Sequence, residues 1–259
     1  MAYLPAMSEN NLPLILLEPI VRNALLEDLG HRGDITTESV VPVEKTARAV
    51  MRMRKGGIIS GLDAATLAFR LMGPDLKIDA VDEGTAVKAG DTVLSVEGSA
   101  RAILTAERVA LNFVQRLSGI ATATRAMVDA VDGTKARICC TRKTTPGLRI
   151  LEKRSVRSGG GVNHRFGLDD GILIKDNHIA VSGSIREAIS RARTRAGHMR
   201  VIEVEVDTLD QLKQALAEGI GAVLLDNMDI STLKAAVSLV SGRCVMEASG
   251  NISIETVRF

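Results

Sequence analysis

From Ala136 to the end of the chain, apolar stretches of strand length alternate with helical patterns, and every apolar stretch finishes in polar or small residues. The predicted strands are Ala136 to Thr141, Gly171 to Asp176, Val201 to Val206, Ala222 to Asp226 and Cys244 to Ala248. They end in Thr141-Arg142-Lys143, Lys175-Asp176-Asn177, Glu205-Val206-Asp207, Asp226-Asn227 and Ser249-Gly250. Helical spacing fills the gaps at Ser184 to Ala196, Leu209 to Glu218 and Ile230 to Leu239, with connections of a few residues. Repeated strand-helix units demand a parallel sheet. A doubly wound sheet would gather its polar endings at one switch point, whereas an α/β barrel carries them on strand after strand. The pattern predicts a barrel, and an incomplete one.

Strand parity assigns the faces. Glu203 and Glu205 share one side of their strand while Ile202, Val204 and Val206 share the other, so the apolar set packs on helices and both carboxylates point into the barrel. Lys175 likewise points away from Ile172 and Ile174. An unpaired carboxylate there would cost several kcal/mol, so cations or a metal belong nearby. An internal ion pair with Lys175 satisfies the same requirement, and Glu203 is its expected partner rather than Glu205, which lies nearer the strand end.

The cations are concentrated. Arg137 to His178 holds nine Lys or Arg against four Asp or Glu, a local +5 in a chain of net +2. Within it lie Thr141-Arg142-Lys143-Thr144-Thr145-Pro146-Gly147 and Gly159-Gly160-Gly161-Val162-Asn163-His164-Arg165. Glycines let a backbone approach a ligand closely, and guanidinium forks match carboxylate or phosphate oxygens in pairs. The pattern selects a multiply anionic ligand. Lys153, Arg154 and Arg157 read as an ordinary solvated helix face. Glu205 and Asp226 end consecutive strands, and one or two carboxylates plus substrate phosphates is the usual way Mg²⁺ is held. The chain has no Cys-rich or paired-His zinc spacing, and no nucleophile elbow accompanies His164, His178 or His198. His31 reads as a turn residue.

The N-terminal part reads as α+β. Glu18 to Leu29 has helical spacing and stops at Gly30. Thr46 to Arg54 alternates, and Leu76 to Val81 and Thr92 to Glu97 are further strands, with Val87 to Gly98 forming a hairpin. Ser99 caps a helix from Ala100 to Leu117 on which Arg101, Thr105, Arg108, Asn112 and Gln115 form one polar stripe. Such a stripe by itself is a solvated face.

Composition closes off other classes. The 259 residues include 2% aromatics and no Trp, so the stacking platforms of single-stranded nucleic-acid binders are missing, and a net charge of +2 is small for a general polyanion binder. No apolar stretch approaches the roughly 20 residues needed to span a bilayer. No secretion signal is legible, so a cytoplasmic address is expected, and three Cys suit a reducing compartment, where they act as packing residues.

Seven segments in one order carry a closer likeness: Glu27-Asp28-Leu29-Gly30 with Gly33-Asp34-Ile35-Thr36-Thr37, Ala106-Glu107-Arg108 with Leu117 to Thr122, Thr141 to Arg149, Gly159 to Arg165, Leu173 to His178, Glu203 to Val206 and Leu224 to Asn227. From about Leu17 onward the chain resembles the quinolinate phosphoribosyltransferase family. The resemblance implies an N-terminal α/β sandwich domain, 1–117, beside an open TIM-like α/β barrel, 118–259, and a homodimer in which Arg108 crosses to the neighbouring pocket. It further implies that Arg142, His164, Arg165 and Lys175 hold the two carboxylates of quinolinate. Lys143 would lie by the phosphoribosyl group, with Thr141 beside it. Glu205 and Asp226 would meet the ribose hydroxyls and Mg²⁺, and Ala248, Ser249 and Gly250 the 5′-phosphate of phosphoribosyl pyrophosphate. Glu205, Asp226 and Lys143 would be catalytic. The family pattern continues past the position of Phe259 with another strand and a glycine-rich segment, so an unfinished barrel is expected. Rival readings are a paralogue of the same fold, such as the molybdenum-associated homologue, acting on another anion; a barrel aldolase forming a Schiff base through Lys175 or Lys143; and a non-catalytic anion-binding protein.

Overall fold

The computed structural model describes residues 12–259. The chain divides into two compact units, Met1–His164 and Arg165–Phe259.

In the first unit, α1 (Leu14–Leu29) starts after Pro13, and α2 (Ile35–Val40) is capped by Asp34, whose Oδ1 accepts from the Thr37 amide at 2.9 Å. That bond, with others from Thr37, holds the Asp34 carboxyl below the ordinary range. Strand β1 (Thr46–Arg52) is followed by β2 (Gly57–Ile58), α3 (Leu62–Met72), β3 (Lys77–Ala80), β4 (Ala86–Val87) and β5 (Thr92–Ser99). The sheets are antiparallel, ordered β1-β5-β3 and β2-β4. Because β4 pairs with β2 and β5 with its own sheet, the hairpin expected over Val87 to Gly98 does not form; the turn at Gly90 joins strands of two sheets.

Helix α4 (Ala100–Ala130) begins as predicted, with the Ser99 hydroxyl accepting from the Ala102 amide at 3.4 Å. It runs well past the expected end at Leu117. Gly119 costs a helix about 1 kcal/mol, and packing offsets this. Buried Leu117, Ser118 and Ala121 continue the inner face, and the Ser118 and Thr122 hydroxyls accept from the Ser60 and Ile58 amides, both at 2.9 Å. Small residues let α3 and α4 approach closely, with Ala64, Ala65 and Ala68 facing a core that includes Ala106 and Ala110. The polar stripe divides along its length: Arg101 donates to the Val41 carbonyl at 2.8 Å and Thr105 to Asp34 at 3.1 Å, whereas Arg108, Asn112 and Gln115 are exposed.

Two expectations fail nearby. Ala136 to Thr141 is not a strand. It makes one bridge, Cys139 beside Val162, to the short segment after three glycines, which is too brief to extend a ladder. Helix α5 (Arg149–Ser158) then buries two of the three cations assigned to solvent: Lys153 is 1% exposed and Arg154 6%, while Arg157 is exposed. Each buried cation has its own acceptors. Arg154 makes a bidentate pair with Asp63 and lies 3.6 Å from Glu83. Lys153 Nζ donates to Cys140 Sγ at 3.0 Å and to the His164 carbonyl at 2.9 Å.

The second unit is a parallel sheet with its helices. In order come β6 (Ile172–Ile174), α6 (Asp176–Ser182), α7 (Ile185–Arg195), β7 (Ile202–Val206), α8 (Leu209–Ala217), β8 (Ala222–Asp226), α9 (Ile230–Val240) and β9 (Val245–Ser249). The strands lie in sequence order, β6-β7-β8-β9. Ser184, Thr208 and Asp229 cap α7, α8 and α9 through amides three residues on. The core joins Ile174, Ile202, Val204, Val206, Val223 and Leu225 to Ile185, Ile189, Leu212, Ala215, Ala236 and Val240. The helix expected near Ser253 is absent. Only a single turn forms there, with the Val257 amide donating to the Ser253 carbonyl at 2.9 Å. Among the described residues no helix is long and apolar enough to cross a membrane.

Candidate functional site

Parallel register converts the strand parity of the second unit into a continuous surface. Leu173 pairs with Glu203, Glu205 with Leu224, Leu224 with Glu247, and Asp226 with Ser249. Since side chains alternate along each strand, Lys175, Glu203, Glu205, Asp226, Glu247 and Ser249 occupy one face of the sheet. Ile174, Val204, Val206 and Leu225 occupy the other, against the helices.

The polar face is organised at its carboxyl end. Lys175 Nζ pairs with Glu205 Oε2, the lysine side chain 45% exposed and the carboxylate 13%. Of the two glutamates on β7, the one nearer the strand end therefore takes the lysine, and Glu203 lies deeper, 8% exposed. The Lys175 amide donates to His178 Nδ1 at 2.9 Å, which closes the start of α6 around the lysine. Arg165 donates to the Gly171 carbonyl at 3.0 Å, at the approach to β6. Asp226 Oδ2 accepts from the Asn227 side-chain amide at 2.8 Å, and the Asn227 backbone amide donates to the Ser249 carbonyl at 2.9 Å.

Gly250 completes that mouth. Its φ of +90° is in the left-handed region, and a Cβ there would come within 3.0 Å of the Asn227 backbone nitrogen and closer still to its side-chain amide. Asn227 itself holds φ +53°, a conformation Asn tolerates better than most residues. Gly250→Ala is therefore expected to displace Asn227 and with it Asp226, lowering stability by about 1–3 kcal/mol. Thermal unfolding checks it; an unchanged midpoint would show that Asn227 gives way without cost. Ala248 sits on the opposite face from Ser249, so any ligand contact it makes is through its backbone.

In the first unit the cationic segment is a loop braced from behind. Thr141 and Lys143 are exposed and Arg142 is half-buried. The Lys143 amide donates to the Thr141 hydroxyl at 3.0 Å, the Thr144 amide to the Arg142 carbonyl at 2.9 Å, and Arg149 Nε to the Thr144 hydroxyl at 3.0 Å. Arg142 Nε is buried with no acceptor among the described residues. A desolvated guanidinium nitrogen without a partner is costly, and an anionic ligand is the natural remedy. His164 is half-buried, its carbonyl engaged by Lys153. Arg108 stands exposed on α4, where Leu104, one turn before it, is 47% exposed and shares a cleft with Ile35, 62% exposed.

For Mg²⁺ the donor chemistry fits: Glu205 and Asp226 are hard oxygen donors on one face at adjacent strand ends, and only one oxygen of each has a hydrogen-bond partner named above. Glu247 escaped the sequence reading. Its signal was present, since Val-Met-Glu-Ala-Ser alternates and puts Glu247 in phase with Ser249.

The comparisons with known proteins agree along the chain. Residues 34–118 match the family described as quinolinate phosphoribosyl transferase, N-terminal domain, and residues 120–259 the corresponding C-terminal domain. The chain is 44% identical over 242 residues to the probable nicotinate-nucleotide pyrophosphorylase [carboxylating] of Bacillus subtilis, covering 93% of this chain and 83% of that protein. It is 46% identical over 241 residues to the nicotinate-nucleotide pyrophosphorylase [carboxylating] of Mycobacterium leprae, covering 91% and 84%. Among solved structures, NadC from Streptococcus pyogenes superposes with a TM-score of 0.91 at 39% identity, covering 96% of this chain and 88% of that one.

Proposed function

Because the chain belongs to the quinolinate phosphoribosyltransferase family, we propose that it transfers the phosphoribosyl group of phosphoribosyl pyrophosphate to quinolinate with loss of CO₂. The products are nicotinate mononucleotide and pyrophosphate, the entry of the pyridine ring into NAD biosynthesis. The observation that carries this reading is the pair of family matches, which together span residues 34–118 and 120–259. It is a decarboxylating pentosyltransferase reaction.

The chemistry follows from charge. As pyrophosphate leaves C1′, the ribose becomes oxocarbenium-like, and Glu205 and Asp226 stabilise the developing positive charge while Lys143 stabilises the departing oxygens. Mg²⁺, held with the help of Glu205 and Asp226, would neutralise pyrophosphate. Arg142, His164, Arg165 and Lys175 hold the dicarboxylate so that the pyridine nitrogen captures C1′. Quaternisation of that nitrogen makes loss of the adjacent carboxylate as CO₂ favourable, because the electron pair left on C2 is neutralised as an ylide, which then takes a proton from solvent to give the C2–H of the product. Clamping the dianion supplies orientation, worth up to roughly 7–11 kcal/mol in favourable cases. The Schiff-base alternative gains nothing from Lys175, whose Nζ is occupied by the Glu205 carboxylate.

The direct test is to supply Mg²⁺ and phosphoribosyl pyrophosphate with quinolinate or nicotinate and to follow pyrophosphate and CO₂. Both products with quinolinate alone are expected; pyrophosphate with nicotinate and none with quinolinate would reverse the substrate assignment.

The working unit is a homodimer in the cytoplasm, with Arg108 supplied to the neighbouring pocket. Exposed Leu104 and Ile35 beside a projecting arginine supply the apolar surface that such an interface covers. Arg108→Ala and Glu205→Ala chains, each nearly inactive alone, are expected to recover about one quarter of the native activity when mixed and allowed to exchange, since half the dimers are hybrid and each has one intact pocket. Absence of recovery, with exchange verified, would place Arg108 in its own protomer's site.

A further inference from the structure

The cationic loop bearing Arg142 and Lys143 has no regular secondary structure, yet one carboxylate fastens it. Glu152, in the first turn of α5, has a side chain only 8% exposed; its Oε1 accepts from Arg116 Nε of α4 at 2.8 Å and lies 2.6 Å from the arginine's Nη2 in the same ion pair. Its Oε2 accepts from the Thr145 backbone amide at 3.1 Å. Arg116 closes the triangle by donating to the Thr145 hydroxyl. Arg116, from the preceding helix, and Glu152, seven residues on, thus converge on Thr145, the residue two after Lys143. From the exterior, Arg116 and Thr145 line a cleft of about 440 Å³ that also includes Asn112 and Pro146.

Resting on the function proposed above, we propose that Glu152 and Arg116 are positioning residues for phosphoribosyl transfer: they hold the Thr141–Gly147 loop from behind, so that Arg142 and Lys143 meet their anions preformed. Neither has to touch substrate for this. Burial raises the Glu152 carboxyl, but the hydrogen bonds from Arg116 and Thr145 and the arginine's charge more than offset it, so the group titrates below its ordinary range and the fastener stays ionised in neutral solution. An uncharged substitute would keep shape and lose hold. A loop so restrained loses little entropy on ligand binding, which is where preorganisation acts.

The test uses the full chain with Arg116→Met, which removes a side chain that is itself 50% exposed. Glu152→Gln is the second variant, since glutamine still offers an oxygen to the Thr145 amide. Hydrogen exchange reads the fastener directly, independent of activity. Faster exchange at the Thr145 amide and its neighbours is expected in both variants, with thermal unfolding lowered more by Arg116→Met, which leaves the buried Glu152 carboxylate without its cation, than by Glu152→Gln. In steady state, KM for quinolinate or phosphoribosyl pyrophosphate should rise while kcat changes less, lowering kcat/KM by about 10- to 100-fold. In an Arg142→Ala background the same Arg116→Met change should cost much less, because residues acting through one another are non-additive. Unchanged exchange at Thr145 would overturn the fastening. Faster exchange with unaltered kinetics, or full additivity with Arg142→Ala, would overturn the positioning role. A native protein that releases no pyrophosphate with quinolinate would instead overturn the reaction assignment and this catalytic role with it, while the exchange data would still report on the loop.

Discussion

Replacing Glu205 by alanine is expected to lower kcat by about 10²–10³ or more, the usual consequence of removing one preorganised group from the charge developing in a transition state. Two effects act together. In the proposed mechanism the carboxylate that stabilises the oxocarbenium-like ribose disappears, and Lys175 loses the partner that holds its side chain at the end of β6. The second effect predicts a particular pattern. Glu205→Gln, which keeps an acceptor for Lys175 but not the charge, should restore KM for quinolinate toward the native value while leaving kcat low. Pyrophosphate release and CO₂ evolution, measured separately, check both. Unchanged pyrophosphate release in Glu205→Ala would remove the residue from the catalytic set and leave its pairing with Lys175 as an ordinary salt bridge.

Arg154→Met is the substitution with the largest expected effect on stability, a loss of about 3–5 kcal/mol. Arg154 is 6% exposed and anchors α5 to the start of α3 through Asp63 and Glu83. Glu83 is itself buried, accepting from the Gly61 amide at 2.9 Å. Burial pushes its carboxyl above the ordinary range in spite of Arg154. Without the arginine that rise grows, and the sign of the pH dependence follows. An acid whose folded pKa exceeds its unfolded one binds more protons folded, so stability falls as pH rises between the two values. The deficit of Arg154→Met should therefore be smallest near the ordinary carboxylate range and grow as pH increases through the raised folded value. Chemical denaturation across that interval measures it, and a loss under 1 kcal/mol at neutral pH would show that the pair merely balances its own desolvation.

The sequence disclosed the sheet of the second unit and withheld the bracing of the first, for physical reasons. Parity is local: Ile-Glu-Val-Glu-Val reveals which residues face helices without knowledge of any partner, and the same alternation runs through β9. The ion pair of Lys175 was legible as a requirement, though its choice of Glu205 over Glu203 depended on depth in the strand. Arg154 is buried against Asp63 and Glu83, which lie far earlier in the chain, and nothing in Arg149 to Ser158 signals them. Lys153 is buried against Cys140 and the His164 carbonyl, groups that are close in sequence but not recognisable there as acceptors of a lysine. The missing strand at Ala136 to Thr141 has adequate local composition, but its bridge to Val162 meets a segment too short to extend it. Helix α4 outran its expected end because Ser118 and Thr122, polar in sequence, are occupied by the backbone of β2 and of Ser60.

The alternation along β7 also limits how this segment tolerates change. Point substitutions on its helix-facing side, such as Val204→Ile, disturb packing by small increments. Deleting a single residue within Ile202–Val206 is different in kind, because everything beyond the lesion turns over. A glutamate would be driven among the aliphatic side chains of α7 and α8, and a valine would take the place opposite Lys175. Variation in length should thus be confined to the connections after α7 and α8, while the strand keeps a fixed count of residues even where its letters drift.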